Sequence, residues 1–165
     1  RSSQLKTQSD NSMSSLGQYC EGRIAELLGD IDGALRAFGE ARRLQADDIA
    51  SLRQTCCILF ESQRWSAAAN ALEELSQCAA DEASVFCNLG VARREAGDIE
   101  LAILAFERSL ILRPESVETW EHLVAILLEC GKESEAATCL ERANMYRPAL
   151  SEEFRKLVGT SKTTF

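Results

Sequence analysis

The sequence is poor in the residues and segments that several classes of protein require. It has one histidine and two prolines in 165 residues, and 6% of its residues are aromatic. A single histidine leaves little scope for histidine-based catalysis or metal binding. Apolar runs such as 101–106 and 123–128 are far shorter than a membrane span, and no signal peptide is recognisable. Lys and Arg number 18 against 26 Asp and Glu, and the resulting formal charge of −8 argues against nucleic-acid binding.

What the sequence does contain is typical of a folded domain. Apolar residues make up 45% and charged residues 27%, which is too apolar for a wholly disordered chain. Residues 1–14 are the exception, because they are polar and rich in serine, and we expect a flexible polar arm there. The first residue is Arg1 and not Met, so we expect a piece of a longer protein, whose upstream targeting signal would lie outside this sequence.

The seven cysteines are odd in number and show no metal-site spacing. No C-x-x-C occurs, so we expect reduced, buried packing residues, an intracellular and cytoplasmic type of compartment, no metal site and no cofactor. They are Cys20, Cys56, Cys57, Cys78, Cys87, Cys130 and Cys139.

An internal repeat organises the middle of the chain. Gly-Asp-Ile occurs at 29–31 and again at 97–99, and the offset is twice 34 residues. A period of 34 divides residues 15–150 without gaps into units 15–48, 49–82, 83–116 and 117–150. The twentieth position of the four units is always alanine: Ala34, Ala68, Ala102 and Ala136. The fifteenth position is Gly29, Gln63, Gly97 and Gly131.

Each unit predicts two helices joined by a tight turn. Apolar residues recur at steps of three and four on both sides of Gly97-Asp98, and this is the helical period. Glycine tolerates the backbone conformation that ends a helix, and aspartate accepts hydrogen bonds from the start of the next helix. The small alanines predict close approach of the two helix axes within each unit. No alternating strand pattern interrupts the series, so we predict an all-α fold.

The pattern resembles the tetratricopeptide repeat, a helix–turn–helix unit of 34 residues. Unit three carries the resemblance best, with Phe86, Leu89, Gly90, Gly97, Ala102, Phe106 and Pro114 at the family's preferred positions. The resemblance implies a right-handed superhelical solenoid of four units. Residues 151–165 would follow as a C-terminal capping helix and a tail, since Ser151 and Glu153 are favourable in a first helical turn. The related 35-residue RNA-reading repeat fits less well, because the period is 34 and the charge is −8.

The resemblance also implies a concave groove lined by the first helix of each unit. The family's inward positions give these candidate partner-binding residues: Tyr19, Arg23, Arg53, Gln54, Cys57, Phe60, Asn88, Val91, Arg94 and His122. A purely structural role is the alternative interpretation for each of them, because arginines form ion pairs with neighbouring glutamates and aromatic residues pack against other side chains. One branch of the family grips C-terminal carboxylates with a Lys/Asn/Asn/Lys/Arg clamp. The residues here do not match that clamp when it starts in unit one, and only Asn88 matches when it starts in unit two.

The function expected from this resemblance is protein binding. We predict a non-catalytic interaction module, adaptor or scaffold of a protein complex, which binds a peptide or helix of a partner protein in the groove. The alternative is a structural subunit that docks or self-associates, as a homo-oligomer, through the ends of the repeat array. RNA binding is a distant alternative. No nucleophile–base pair, phosphate loop or metal motif supports an enzyme, and we expect neither nucleic-acid nor membrane contact by this segment.

Overall fold

A computed structural model describes residues 2–146, with side chains from residue 13 onward. Eight α-helices and no strand occupy these described residues. The helices are α1 Ser2–Leu27, α2 Ile31–Leu44, α3 Ile49–Glu61, α4 Trp65–Cys78, α5 Ala83–Ala96, α6 Ile99–Leu112, α7 Val117–Glu129 and α8 Glu133–Tyr146. The predicted all-α fold is therefore confirmed. Helices α3, α5 and α7 begin at the first residues of units two, three and four.

The chain divides between Cys78 and Ala79 into two compact units. In the first, which we call the N-terminal half, α1 packs on α2, α2 on α3, and α3 on α4. In the second, the C-terminal half, α5 packs on α6, α6 on α7, and α7 on α8, and α5 also touches α7. Each half is thus built from two helical hairpins that share an apolar core.

The repeated alanines lie where the helices of each hairpin meet. Ala34, Ala68 and Ala102 are completely buried, and Ala136 is 1% exposed. A methyl side chain at these sites lets the two backbones approach closely, and larger neighbours such as Phe38 and Phe106 fill the adjoining space. The sequence prediction that these alanines mark the crossings agrees with their burial.

Two glycines of the first helices receive phenylalanine rings from the second helices. A Cβ atom added at Gly90 would lie 2.5 Å from a ring carbon of Phe106, and one added at Gly22 would lie 2.7 Å from Phe38. The equivalent pairs in units two and four are Cys56 with Leu72 and Val124 with Leu140. A large ring is thus matched by glycine, and the smaller leucine by a larger partner, so the combined volume of the pair is roughly maintained.

The turns inside the hairpins share one backbone conformation. Gly29, Gly97 and Gly131 have φ of 78°, 90° and 70°, in the left-handed region that ends a helix without steric cost only for glycine. Gln63, at the same position of unit two, has φ of 56°. The next helix then begins beside a capping residue, as at Asp30, whose carboxylate accepts a 2.8 Å hydrogen bond from the Gly33 N–H.

The N-terminal segment corrects the sequence prediction. The flexible arm expected at 1–14 is helical from Ser2 onward, because α1 continues without interruption to Leu27. The segment contains no proline, and extending an existing helix costs much less than nucleating one. The capping helix and tail predicted for 151–165 lie outside the described residues.

The cysteines correct a second prediction. All seven are free, but only Cys56, Cys87 and Cys139 are buried, whereas Cys20, Cys57, Cys78 and Cys130 are exposed. Burial, followed by the neighbouring Cys57, raises the pKa of Cys56 to about 12, so that thiol stays protonated at neutral pH. The expectation of buried packing residues therefore holds for fewer than half of them.

Candidate functional site

In the N-terminal half, the candidate residues lie on the first helices of its two hairpins, α1 and α3. Arg23 of α1 donates from Nη1 to Oε1 of Gln54 on α3, at 2.7 Å. The same nitrogen also forms an ion pair with Oε2 of Glu26, at 3.2 Å. Because a guanidinium carries five N–H donors and the Arg23 side chain is 41% exposed, it can still donate to a bound ligand.

Two aromatic candidates lie on the same two helices, Tyr19 on α1 and Phe60 on α3. Tyr19 is half-buried and packs its ring 5.6 Å from that of Phe38. Phe60 is half-buried and meets Trp65 edge-on, with ring centroids 5.2 Å apart. Through these contacts each ring packs against the second helix of its own hairpin. The part of each ring that this packing does not cover is apolar surface exposed to solvent. We call Tyr19, Arg23, Arg53, Gln54, Cys57 and Phe60 together the α1–α3 surface.

The thiol on this surface is not an activated nucleophile. Partial burial raises the pKa of Cys57, and the carboxylates of Glu61 and Glu26 raise it further. Arg53 and Arg23 oppose this shift but do not reverse it. A catalytic cysteine needs a lowered pKa to supply thiolate, and Cys57 has the opposite environment.

In the C-terminal half, the candidate residues lie on α5 and α7. Asn88 is exposed, whereas Val91 is half-buried against the apolar core. Arg94 pairs with Glu129 of α7, so its charge is already partly neutralised. His122 is half-buried and its ring is stacked on Phe106, with centroids 5.4 Å apart and planes 16° from parallel.

Sequence reasoning missed one cluster in this half. The ligand atoms of Cys87, Glu118 and His122 all lie within 4.8 Å of one another. Cys87 is buried on α5, and Glu118 and His122 lie one turn apart on α7. A signal was present, because all three residues occupy inward positions of the repeat, the fifth of unit three and the second and sixth of unit four. The sequence separation of Cys87 from the other two hid it from a search for local metal motifs.

Among the residues that the structure describes, no helix has the length and apolarity needed to cross a lipid bilayer.

Comparison with known proteins identifies the repeat. A family model of the tetratricopeptide repeat matches residues 83–116, which is the predicted unit three. No curated protein sequence matches the chain.

Solved structures share the fold at low sequence identity. MamA residues 41 to the end, from Desulfovibrio magneticus RS-1, superpose with a TM-score of 0.69 at 20% identity, over 82% of this chain and 76% of that one. Another crystal structure of MamA gives a TM-score of 0.72 at 18% identity, over 82% and 74%. The first tetratricopeptide domain of Spaghetti (RPAP3), bound to the HSP90 peptide SRMEEVD, gives 0.61 at 18% identity, over 73% and 95%. Residues 83–116 therefore match the tetratricopeptide repeat, and the solved structures show that the chain shares their all-α solenoid fold.

Proposed function

We propose that this chain is a non-catalytic protein-interaction module that binds a peptide or helix of a partner protein along the first helices of its repeats. The observation that carries the proposal is the α1–α3 surface, where the Arg23–Gln54 hydrogen bond joins two neighbouring first helices. A helical scaffold holds these side chains in place before a ligand arrives, which reduces the entropy lost on binding.

The chemistry of this surface favours a segment that carries both an acidic and an apolar side chain. Arg23 supplies N–H donors, and the half-buried rings of Tyr19 and Phe60 supply apolar area on the same two helices. Arginine and aromatic side chains are the residues that most often dominate the binding energy of protein interfaces.

The segment need not end in a carboxylate. The RPAP3 structure contains a bound HSP90 peptide, SRMEEVD. The family's carboxylate clamp uses Lys, Asn, Asn, Lys and Arg, whereas its positions counted from unit one hold Tyr19, Arg23, Gln54, Ser84 and Asn88 here. Counted from unit two, only Asn88 matches and Glu118 would repel a carboxylate. An internal segment of the partner fits these residues better than its C-terminus.

The test begins with displayed random peptides selected on the purified chain. The selected peptide is then synthesised, and its affinity is measured by fluorescence anisotropy. We expect Arg23→Glu combined with Arg53→Glu to weaken binding by more than about tenfold, because two negative charges that repel an acidic ligand replace two positively charged donors of the surface.

The matched control is Arg36→Glu, the same change at an exposed arginine on α2, outside the α1–α3 surface. It is expected to leave the affinity within about twofold, which is the variation expected of surface changes away from a site. Helical circular dichroism verifies that both variants fold. Unchanged binding by the double charge reversal would eliminate the groove on α1 and α3.

One observation favours the structural-subunit alternative. Large apolar side chains of α1 are exposed to solvent, with Met13 at 70%, Leu16 at 56%, Ile24 at 57% and Leu27 at 81%. Their spacing of three to eight residues places them along one side of a helix. Such a stripe is suited to packing against another helix, and a second copy of the chain would supply one.

A further inference from the structure

Three metal-ligating side chains of different chemistry meet between α5 and α7 of the C-terminal half. The Cys87 sulfur, a Glu118 carboxylate oxygen and a His122 ring nitrogen lie within 4.8 Å of one another. Zinc, which binds sulfur at about 2.3 Å and nitrogen or oxygen at about 2.0–2.2 Å, holds tetrahedral ligands about 3.3–3.8 Å apart. Small side-chain rotations therefore bring the three atoms into coordination distance of one ion.

The surroundings of the three residues restrict and orient them. Cys87 is 6% exposed, so its side chain is the buried member of the cluster. The stacking of His122 on Phe106 fixes the plane of the imidazole ring. Glu118 is exposed at the first turn of α7, so its carboxylate is the ligand with the freedom to close on the ion.

The chemistry of the three donor atoms indicates which metal ion they would bind. One thiolate, one imidazole and one carboxylate form a mixed S, N, O set, which suits Zn²⁺ and fits Mg²⁺ or Ca²⁺ poorly because these prefer oxygen ligands alone. Three protein ligands leave a fourth tetrahedral position, which a water molecule would occupy, and the exposure of Glu118 gives solvent access to the cluster.

The geometry points to a zinc-binding site formed by Cys87, Glu118 and His122, although the sequence alone predicted no metal site. Binding replaces the thiol proton of Cys87, which passes to solvent, by a sulfur–zinc bond, with no change of oxidation state. The site does not depend on the proposed peptide groove.

The test uses the whole chain, freed of metal by a chelator and kept reduced by a phosphine. Co²⁺ is added as a spectroscopic substitute, followed by Zn²⁺. We expect one equivalent of Co²⁺ to give a thiolate-to-cobalt charge-transfer band and the intense visible bands of tetrahedral Co²⁺, and Zn²⁺ to abolish both. His122 is the sole histidine of the chain, so its imidazole resonances need no assignment and are expected to shift when Zn²⁺ binds.

Variants separate this site from binding elsewhere. Cys87→Ser, His122→Gln and Glu118→Gln are each expected to lower the Zn²⁺ affinity by more than about tenfold, since loss of even an outer-shell partner costs that much. Cys139→Ser and Glu121→Gln remove a buried cysteine and an exposed carboxylate of the same half, and are expected to change nothing. If Cys87→Ser disturbs folding, as judged by circular dichroism, the half-buried His122→Gln decides the question. Histidine resonances that do not move at saturating Zn²⁺, or a charge-transfer band that persists in His122→Gln, would overturn the assignment.

Discussion

At the scale of single residues, Gln63 adopts a backbone conformation that its residue type does not favour. Its φ of 56° lies in the left-handed region, where the other three hairpins have glycine. A side chain with a Cβ atom is strained there by about 1–2 kcal/mol. Unit two therefore keeps the turn geometry of the other three units with a residue that does not favour it.

Replacing this residue with glycine is expected to stabilise the protein. Gln63→Gly relieves the strain and, after the greater entropy of glycine in the unfolded chain is subtracted, is expected to raise the free energy of unfolding by about 1 kcal/mol. Urea unfolding followed by circular dichroism measures the change.

The control makes the same substitution inside a helix. Gln18→Gly, in α1, is expected to lower the free energy of unfolding by about 1 kcal/mol, because glycine is a poor helix former. A decrease for Gln63→Gly as well would show that the left-handed turn is not strained.

At the scale of helices, the fit between hairpin partners depends on pairs of side chains. Phe106 reaches over Gly90 within unit three, while Val124 and Leu140 occupy the same two positions in unit four. The two pairs represent alternative ways to fill one space, so changing one member alone leaves either a clash or a void.

A double-mutant cycle tests this pairing. Gly90→Val is expected to lower the free energy of unfolding by about 1–3 kcal/mol through overpacking, and Phe106→Leu by about 1 kcal/mol through a cavity. The double variant, which copies unit four, is expected to be more stable than the sum of the two losses predicts, and urea unfolding of all four proteins gives the coupling.

Gly17→Val is the matched control, because no atom lies within 4 Å of a Cβ added at Gly17. It is expected to cost little or to stabilise α1, since valine is a better helix former than glycine. Strictly additive effects at Gly90 and Phe106 would contradict the pairing.

The helices were largely predictable from sequence because their ends are marked by local chemistry. The 34-residue period located the hairpins, and the glycines at three of the four turns, two of them followed by aspartate, located the helix boundaries. The helical state of 2–14 was not predictable in the same way. Serine-rich composition signals disorder, whereas the helix there depends on continuity with a packed segment.

The candidate site was only partly predictable. The register placed Arg23 and Gln54 on neighbouring first helices, but their 2.7 Å hydrogen bond depends on side-chain rotamers that a repeat pattern does not specify. The same limit hid the cluster of Cys87, Glu118 and His122, and also the exposure of cysteines such as Cys20. A periodic pattern indicates the face of a helix on which a residue lies, but it does not indicate whether a neighbour covers that face.

At the scale of the whole molecule, the question is whether the chain acts alone or as part of an assembly. The apolar stripe of α1, formed by Met13, Leu16, Ile24 and Leu27, is the surface on which the structural-subunit alternative depends. The groove proposal needs no such association, so oligomeric state separates the two functions.

The structural-subunit alternative predicts that the molar mass measured by light scattering rises with concentration in the micromolar range. Ile24→Glu with Leu27→Glu would then restore a monomer, because two charges on the stripe oppose burial. Leu104→Glu with Ile111→Glu, at similarly exposed positions of α6, is the control and would leave the association intact. A wild-type chain that is monomeric at every concentration favours the groove proposal instead.

The two tryptophans are divided between the two halves of the molecule. Trp65 lies edge-on to Phe60 in the N-terminal half, and Trp120, 1% exposed in the C-terminal half, donates its indole N–H to the Pro114 carbonyl at 2.8 Å. Trp65→Phe therefore leaves an intrinsic fluorophore that reports on the C-terminal half alone, and Trp120→Phe leaves one for the other half. The two variants therefore give separate fluorescence signals for the unfolding of the two halves, without an added label. Comparison of the two unfolding curves shows whether the halves unfold together.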